Sequence, residues 1–108
     1  YFDGDDCTKI TADKMAIGNL ENHSKYTSHY IPYISDSVYY MFSDGYADQF
    51  GGESNKKFMQ KRLLALMEIA FKKPMAKQKD LFESTFKEWK GSNEQVDDVA
   101  LFGFKLPK

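Results

Sequence analysis

Between residues 38 and 43 the chain reads Val-Tyr-Tyr-Met-Phe-Ser, a run without charge. On an extended backbone Val38, Tyr40 and Phe42 share one face and Tyr39 and Met41 the other. Both faces are apolar, which predicts a strand covered on both sides. A second extended run, residues 29–34, precedes it across Ser35-Asp36-Ser37, a polar triplet suited to a hairpin turn. A weaker strand pattern covers residues 7–11 and is closed by the polar stretch 18–25.

From residue 59 to 71 the period becomes helical. Leu63, Leu66, Met67 and Ala70 recur along one stripe, while Lys61, Arg62 and Glu68 fall outside it. Pro74 starts a new element. Residues 75–90 carry Leu81, Phe82, Phe86 and Trp89 on a second stripe, read as core rather than as an aromatic binding platform, and Gly91 supplies a stop. The last run, residues 99–106, is apolar except at Gly103 and Lys105 and predicts a mostly buried strand. Strands, then two helices, then one strand predict an α+β fold: an antiparallel sheet with two amphipathic helices on one face.

Composition sets the scale. With 108 residues, 42% of them hydrophobic and 16% aromatic, residues 1–108 suit one small domain and not two. Fifteen Lys and Arg against 16 Asp and Glu leave a formal charge of −1, so no basic field exists to hold a nucleic acid or an anionic membrane. Cys7 is the lone cysteine, which excludes an internal disulfide and suits a reducing, cytoplasmic setting. No apolar run reaches the roughly 18 residues of a membrane span. Tyr1 in place of methionine leads us to expect that the sequence was cut from a longer one.

The candidate chemistry sits at the strand ends. Asp44 directly follows the 38–43 run, and Asp97 with Asp98 directly precedes the last one. If these strands pair antiparallel, all three acids fall at one edge. Carboxylates so placed repel one another unless a cation lies between them. Oxygen-only ligands suit Mg²⁺ or Mn²⁺ rather than zinc. The plain alternative is a pair of solvated turns, because Asp-Gly favours turns for backbone reasons alone. Other readings carry less. Neither Asp3-Gly4-Asp5-Asp6 nor the 44–53 segment has the spacing of a calcium-binding EF-hand loop, and His23 and His29 lack the second pair a zinc site needs. Lys56, Lys57, Lys61 and Arg62 form a local basic run, read as a solvated helix start with the capacity to steer an acidic or phosphorylated partner.

Three stretches together resemble the C-terminal half of bacterial SpoIIE-like phosphatases, members of the PPM (type 2C) metal-dependent serine/threonine phosphatases. They are SDGYADQFGG, FKKPMAKQKDLFESTFKEWKG and NEQVDDVALFGFKL; DKMAIG, residues 13–18, resembles the family's preceding turn. The resemblance implies one part of an α-β-β-α sandwich. It implies that Asp44 and Asp97 are metal ligands, with Asp98 at a more variable adjoining position and Asp48 reaching the metal through water or bracing the turn. Mn²⁺ or Mg²⁺ is the implied cofactor. Ala100 stands where many members have threonine and Ala16 where many have proline, both outside the ligand set. The family's first half supplies an acid and an Asp-Gly pair that bridges two metals, and these 108 residues do not contain it. The implied function is therefore part of a protein phosphatase acting on phosphoserine or phosphothreonine of a partner protein in bacterial signalling, inactive as this piece. The implied partners are the remaining half of the domain, an upstream sensor or regulatory domain, and a second copy in a homo-oligomer. The alternative is a non-catalytic interaction module that keeps a phosphatase-like half-fold.

Overall fold

A computed structural model describes residues 1–4, 6–10, 30, 31 and 33–108. The first elements are short strands, β1 (Phe2–Asp3) and β2 (Asp6–Cys7), followed by β3 (Val38–Phe42). A one-turn helix α1 (Gly45–Asp48) and a small hairpin, β4 (Phe50–Gly51) with β5 (Lys56–Lys57), lead into helices α2 (Gln60–Ala70) and α3 (Met75–Lys90). Strand β6 (Leu101–Lys105) closes the described fold. This is the α+β order the hydrophobic periods predict, and α3 keeps the predicted bounds.

The main sheet has the order β2-β1-β3-β6, with every pairing antiparallel. Chain-distant β3 and β6 form its longest ladder, from Val38 opposite Lys105 to Phe42 opposite Leu101. Residues 29–34 were expected to pair with β3, but 30, 31, 33 and 34 form no strand. Phe2 takes that place opposite Val38. Phe2 is buried and stacks on Phe71 with ring centroids 4.4 Å apart, which anchors β1 in the core. The turn expected at Ser35-Asp36-Ser37 is present: Asp36 adopts φ 68°, and the Ser37 hydroxyl donates to the Ile34 carbonyl at 2.6 Å. Of the 7–11 pattern only Cys7 lies in a strand, and Thr11, the 18–25 stretch, His23 and His29 lie outside the described residues.

One face of the sheet is covered. Phe2, Tyr40, Phe42 and Leu101 meet Leu63, Leu66, Met67 and Ala70 of α2 and Phe82 and Phe86 of α3 in one core. Helix α2 lacks a side-chain N-cap, so its stability comes from burying this stripe, about 1.5–3 kcal/mol for each large side chain. The opposite face differs from the expectation of burial on both sides. Tyr39 is half-buried, while Met41 and Phe102 are 65% and 63% exposed. Tyr1, Tyr39 and Phe104 stack there at 4.9 and 5.2 Å, and Phe102 adjoins Phe104 at 6.0 Å. The period of two holds along β3, but its second face is not covered among the described residues.

Candidate functional site

The β3–β6 ladder runs past its strands at the end that carries the acids. The Ser43 amide donates to the Ala100 carbonyl at 2.9 Å, and the Ala100 amide donates to the Ser43 hydroxyl oxygen at 3.0 Å. That hydroxyl also lies 3.3 Å from the Asp98 carbonyl oxygen. The end of β3 is thus tied to the residues that lead into β6.

Gly45 draws the two segments closer still. A β-carbon added there would lie 2.1 Å from the Asp98 carbonyl oxygen and 3.2 Å from the Val99 α-carbon. Gly45 is not among the residues in the left-handed region. Its role is close approach, not the turn conformation that Asp-Gly suggests in the sequence. Only a residue without a side chain lets Ser43-Asp44-Gly45 lie against Asp98-Val99.

Asp44 therefore stands beside the Asp97–Asp98 segment. Its side chain is exposed and holds the N-cap position of α1, yet makes no capping hydrogen bond, because its backbone is already helical at φ −69°, ψ −16°. The carboxylate is left available. Asp97 is exposed and its Oδ1 accepts the Asp98 amide at 2.8 Å, which orients it on its own backbone. Asp98 is exposed, with its carbonyl turned towards Ser43 and Gly45. Asp48 closes α1 one turn on, with Oδ1 3.8 Å from Lys57 Nζ. Both partners are nearly half-exposed, and such a pair contributes well under about 1 kcal/mol. The donor chemistry of Asp44, Asp97 and Asp98 is carboxylate oxygen alone, which fits a hard divalent cation. Among the described residues no group of three or more Asp, Glu, His or Cys side chains gathers as a metal cage.

Gln49, Trp89 and Gly51 position this edge, a role that the helical stripe and the motif do not announce. Gln49 is 1% exposed, and its Nε2 donates to the Glu94 carbonyl at 2.9 Å and the Phe50 carbonyl at 3.0 Å. Trp89 donates from Nε1 to the Gln49 carbonyl at 2.8 Å. Gly51 makes room for this contact, since a β-carbon there would lie 1.7 Å from the Trp89 carbonyl oxygen. Together they pin the start of the 94–99 segment to the hairpin, and so set where Asp97 falls. Tyr46, 3% exposed, donates to the Phe82 carbonyl at 2.7 Å, and burial pushes its phenol well above the usual range.

The family model of Stage II sporulation protein E (SpoIIE) matches residues 2–107. The chain belongs to the SpoIIE family. It is also similar to the SiaA-PP2C domain of Pseudomonas aeruginosa, at 27% identity and a TM-score of 0.72. The match covers 78% of this chain and 34% of that one, so this chain spans about a third of that PP2C chain. No curated protein matches it. A SpoIIE-type phosphatase domain is the class to which this α+β fold belongs. Among the described residues no helix is long and apolar enough to cross a membrane.

Proposed function

We propose that these residues form one side of the catalytic centre of a metal-dependent protein serine/threonine phosphatase. The observation that supports the reading is the close approach of Gly45, the residue after Asp44, to the backbone of Asp98. Membership of the SpoIIE family and likeness to a PP2C domain support it. Asp44 and Asp97 would hold Mn²⁺ or Mg²⁺, with Asp98 adjoining. When bound, such an ion neutralises charge on a phosphoryl group and activates water. Asp44 and Asp97 would serve as its anionic ligands at the ladder end, where Ser43 and Gly45 keep the two segments in register. Asp48, engaged by Lys57, braces the turn and contacts a metal only through water. The substrate is a phosphoserine or phosphothreonine of a partner protein in a bacterial signalling pathway.

The test uses a phosphoserine peptide with Mn²⁺, assayed against the 108-residue chain, a longer chain carrying a whole phosphatase domain, and that longer chain with Asp97→Asn. Turnover is expected from the longer chain alone, with Asp97→Asn reducing it at least about a hundredfold, the scale of a lost second-sphere or direct ligand contact. Calorimetry on the 108-residue chain should show weak Mn²⁺ binding that Asp44→Asn weakens further. A whole domain indifferent to Asp97→Asn would favour the alternative, a non-catalytic interaction module.

A further inference from the structure

The basic run at residues 56–62 becomes a built surface in the fold. Lys56 and Lys57 form β5, Lys61 and Arg62 lie in the first turn of α2, and all four are exposed. Glu53 is the one acid between residues 53 and 62, so a chain of formal charge −1 gathers a local excess of three positive charges here (four minus one). Arg62 is the fixed member. Its guanidinium lies 4.5 Å from the centre of the Trp89 ring, a cation–π contact that holds its flat face and leaves its N–H edges to solvent. Among the described residues no carboxylate pairs with Lys56, Lys61 or Arg62.

Trp89 is itself locked. Its Nε1 donates to the Gln49 carbonyl at 2.8 Å, the Gly52 amide donates to its carbonyl at 3.0 Å, and its ring meets Phe58 edge to face at 5.3 Å. Gly52 admits the ring, since a β-carbon there would lie 2.7 Å from it. The same frame ties the basic surface to the acidic edge. The Gln49 carbonyl also accepts the Phe58 amide at 2.9 Å, and Lys57 Nζ lies 3.8 Å from Asp48 Oδ1. Asp48 follows Asp44 by one turn of α1, its amide donating to the Asp44 carbonyl at 2.9 Å, so Lys57 stands one helical pitch of about 5.4 Å beyond the ladder end.

We propose that this surface, centred on Arg62 with Lys56, Lys57 and Lys61, docks acidic side chains that flank the phosphoserine or phosphothreonine of the partner protein. Charge complementarity selects the occupant: four exposed cations, one of them a guanidinium held flat, offer the forked donors that match carboxylates. Distance selects the flank. An extended peptide advances about 3.3 Å per residue, so a phosphorylated residue at the Asp44–Asp97 edge brings side chains roughly three or more residues away within reach of the patch. The inference rests on the phosphatase reading for the place of that residue. It adds a division of labour in which the acidic edge holds the cation and the basic surface holds the anions of the substrate.

The probes are fluorescent peptides carrying phosphoserine between acidic flanks, phosphoserine between neutral flanks, and serine between acidic flanks, with binding to the 108-residue chain read by anisotropy. Acidic flanks should tighten binding by about tenfold or more over neutral ones, with or without the phosphate, and added salt should erase that gain. Arg62→Gln should lose most of it, and Arg62→Lys, which keeps the charge without the fork, should fall between the two. Arg62→Glu combined with Lys61→Glu should turn the preference towards a peptide with lysine flanks, an exchange that simple loss of folding would not produce. Equal binding of acidic-flanked and neutral-flanked peptides overturns the proposal, as does a preference that survives Arg62→Gln or one that requires phosphoserine and ignores the flanks. Tighter attachment to phosphatidylglycerol vesicles than to the acidic peptides, lost in Arg62→Gln, would assign the surface to a membrane and overturn it as well. Turnover of both phosphoserine peptides with Mn²⁺ is measured on the longer chain carrying a whole phosphatase domain. Flank preference without turnover keeps the docking surface and counts against the phosphatase reading; turnover indifferent to the flanks keeps that reading and overturns the proposal.

Discussion

Gly45 shows how much one missing methyl group decides. Its α-carbon rests on the Asp98 carbonyl, and a β-carbon at 2.1 Å would force backbone from backbone. Gly45→Ala should destabilise the chain by about 1–3 kcal/mol, the range for overpacking a close contact, as read from urea denaturation. It should also weaken Mn²⁺ binding although it removes no ligand, because Asp44 and Asp97 would no longer be held together. Asp44→Asn should show the opposite combination, weaker binding with little loss of stability, since its carboxylate makes no capping bond. If Gly45→Ala left both quantities unchanged, the close approach would not be what assembles the edge.

At the scale of elements, two tyrosines join the sheet side to α3. The Tyr40 hydroxyl donates to Gln78 Oε1, and the Tyr46 hydroxyl donates to the Phe82 carbonyl. Burial raises both phenols, Tyr40 to about 12 from an ordinary 10. A raised folded value means that the neutral form is favoured by folding. The stabilisation is therefore complete below pH 10 and is lost as pH rises towards about 12. Alkaline titration should show tyrosinate absorbance of these two groups rising together with loss of helical circular dichroism. Tyr40→Phe should remove part of that alkaline sensitivity. Helix α3 is thus held by hydrogen bonds that ionisation breaks, as well as by the packing of Phe82.

For the whole molecule, the contrast between the two sheet faces is the governing fact. Leu63, fully buried under the covered face, should cost about 2–5 kcal/mol as Leu63→Ala. Met41, 65% exposed on the other face, should change stability by no more than about 0.5 kcal/mol as Met41→Ser, while raising solubility. Equal losses from the two substitutions in thermal unfolding would show that the second face is covered after all. A small domain can keep one sheet face in water, but that face is then polar. Here it carries Tyr39, Met41, Phe102 and Phe104, a surface with the composition of an interior.

Much of this was legible in the order of residues. The three- and four-residue spacing of Leu63, Leu66, Met67 and Ala70 and the stop at Gly91 fixed α2 and α3 closely, because helical period and capping are local properties. The acids at the two strand ends, and the resemblance carried by SDG and DD, pointed to the right family from motifs alone. Pairing was a different matter. Residues 29–34 have the composition of a strand, yet Phe2 pairs with Val38, since the choice of neighbour depends on which side chain fits against Phe71. The role of Gly45 could not be read either, because the atom that excludes a side chain belongs to Asp98, 53 positions away along the chain (98 minus 45). Sequence by itself determined the periods, the acids' place at the two strand ends and the family. Tertiary structure alone decided which strands meet, why glycine follows Asp44 and which apolar face stands open, for those depend on contacts between residues that no local pattern connects.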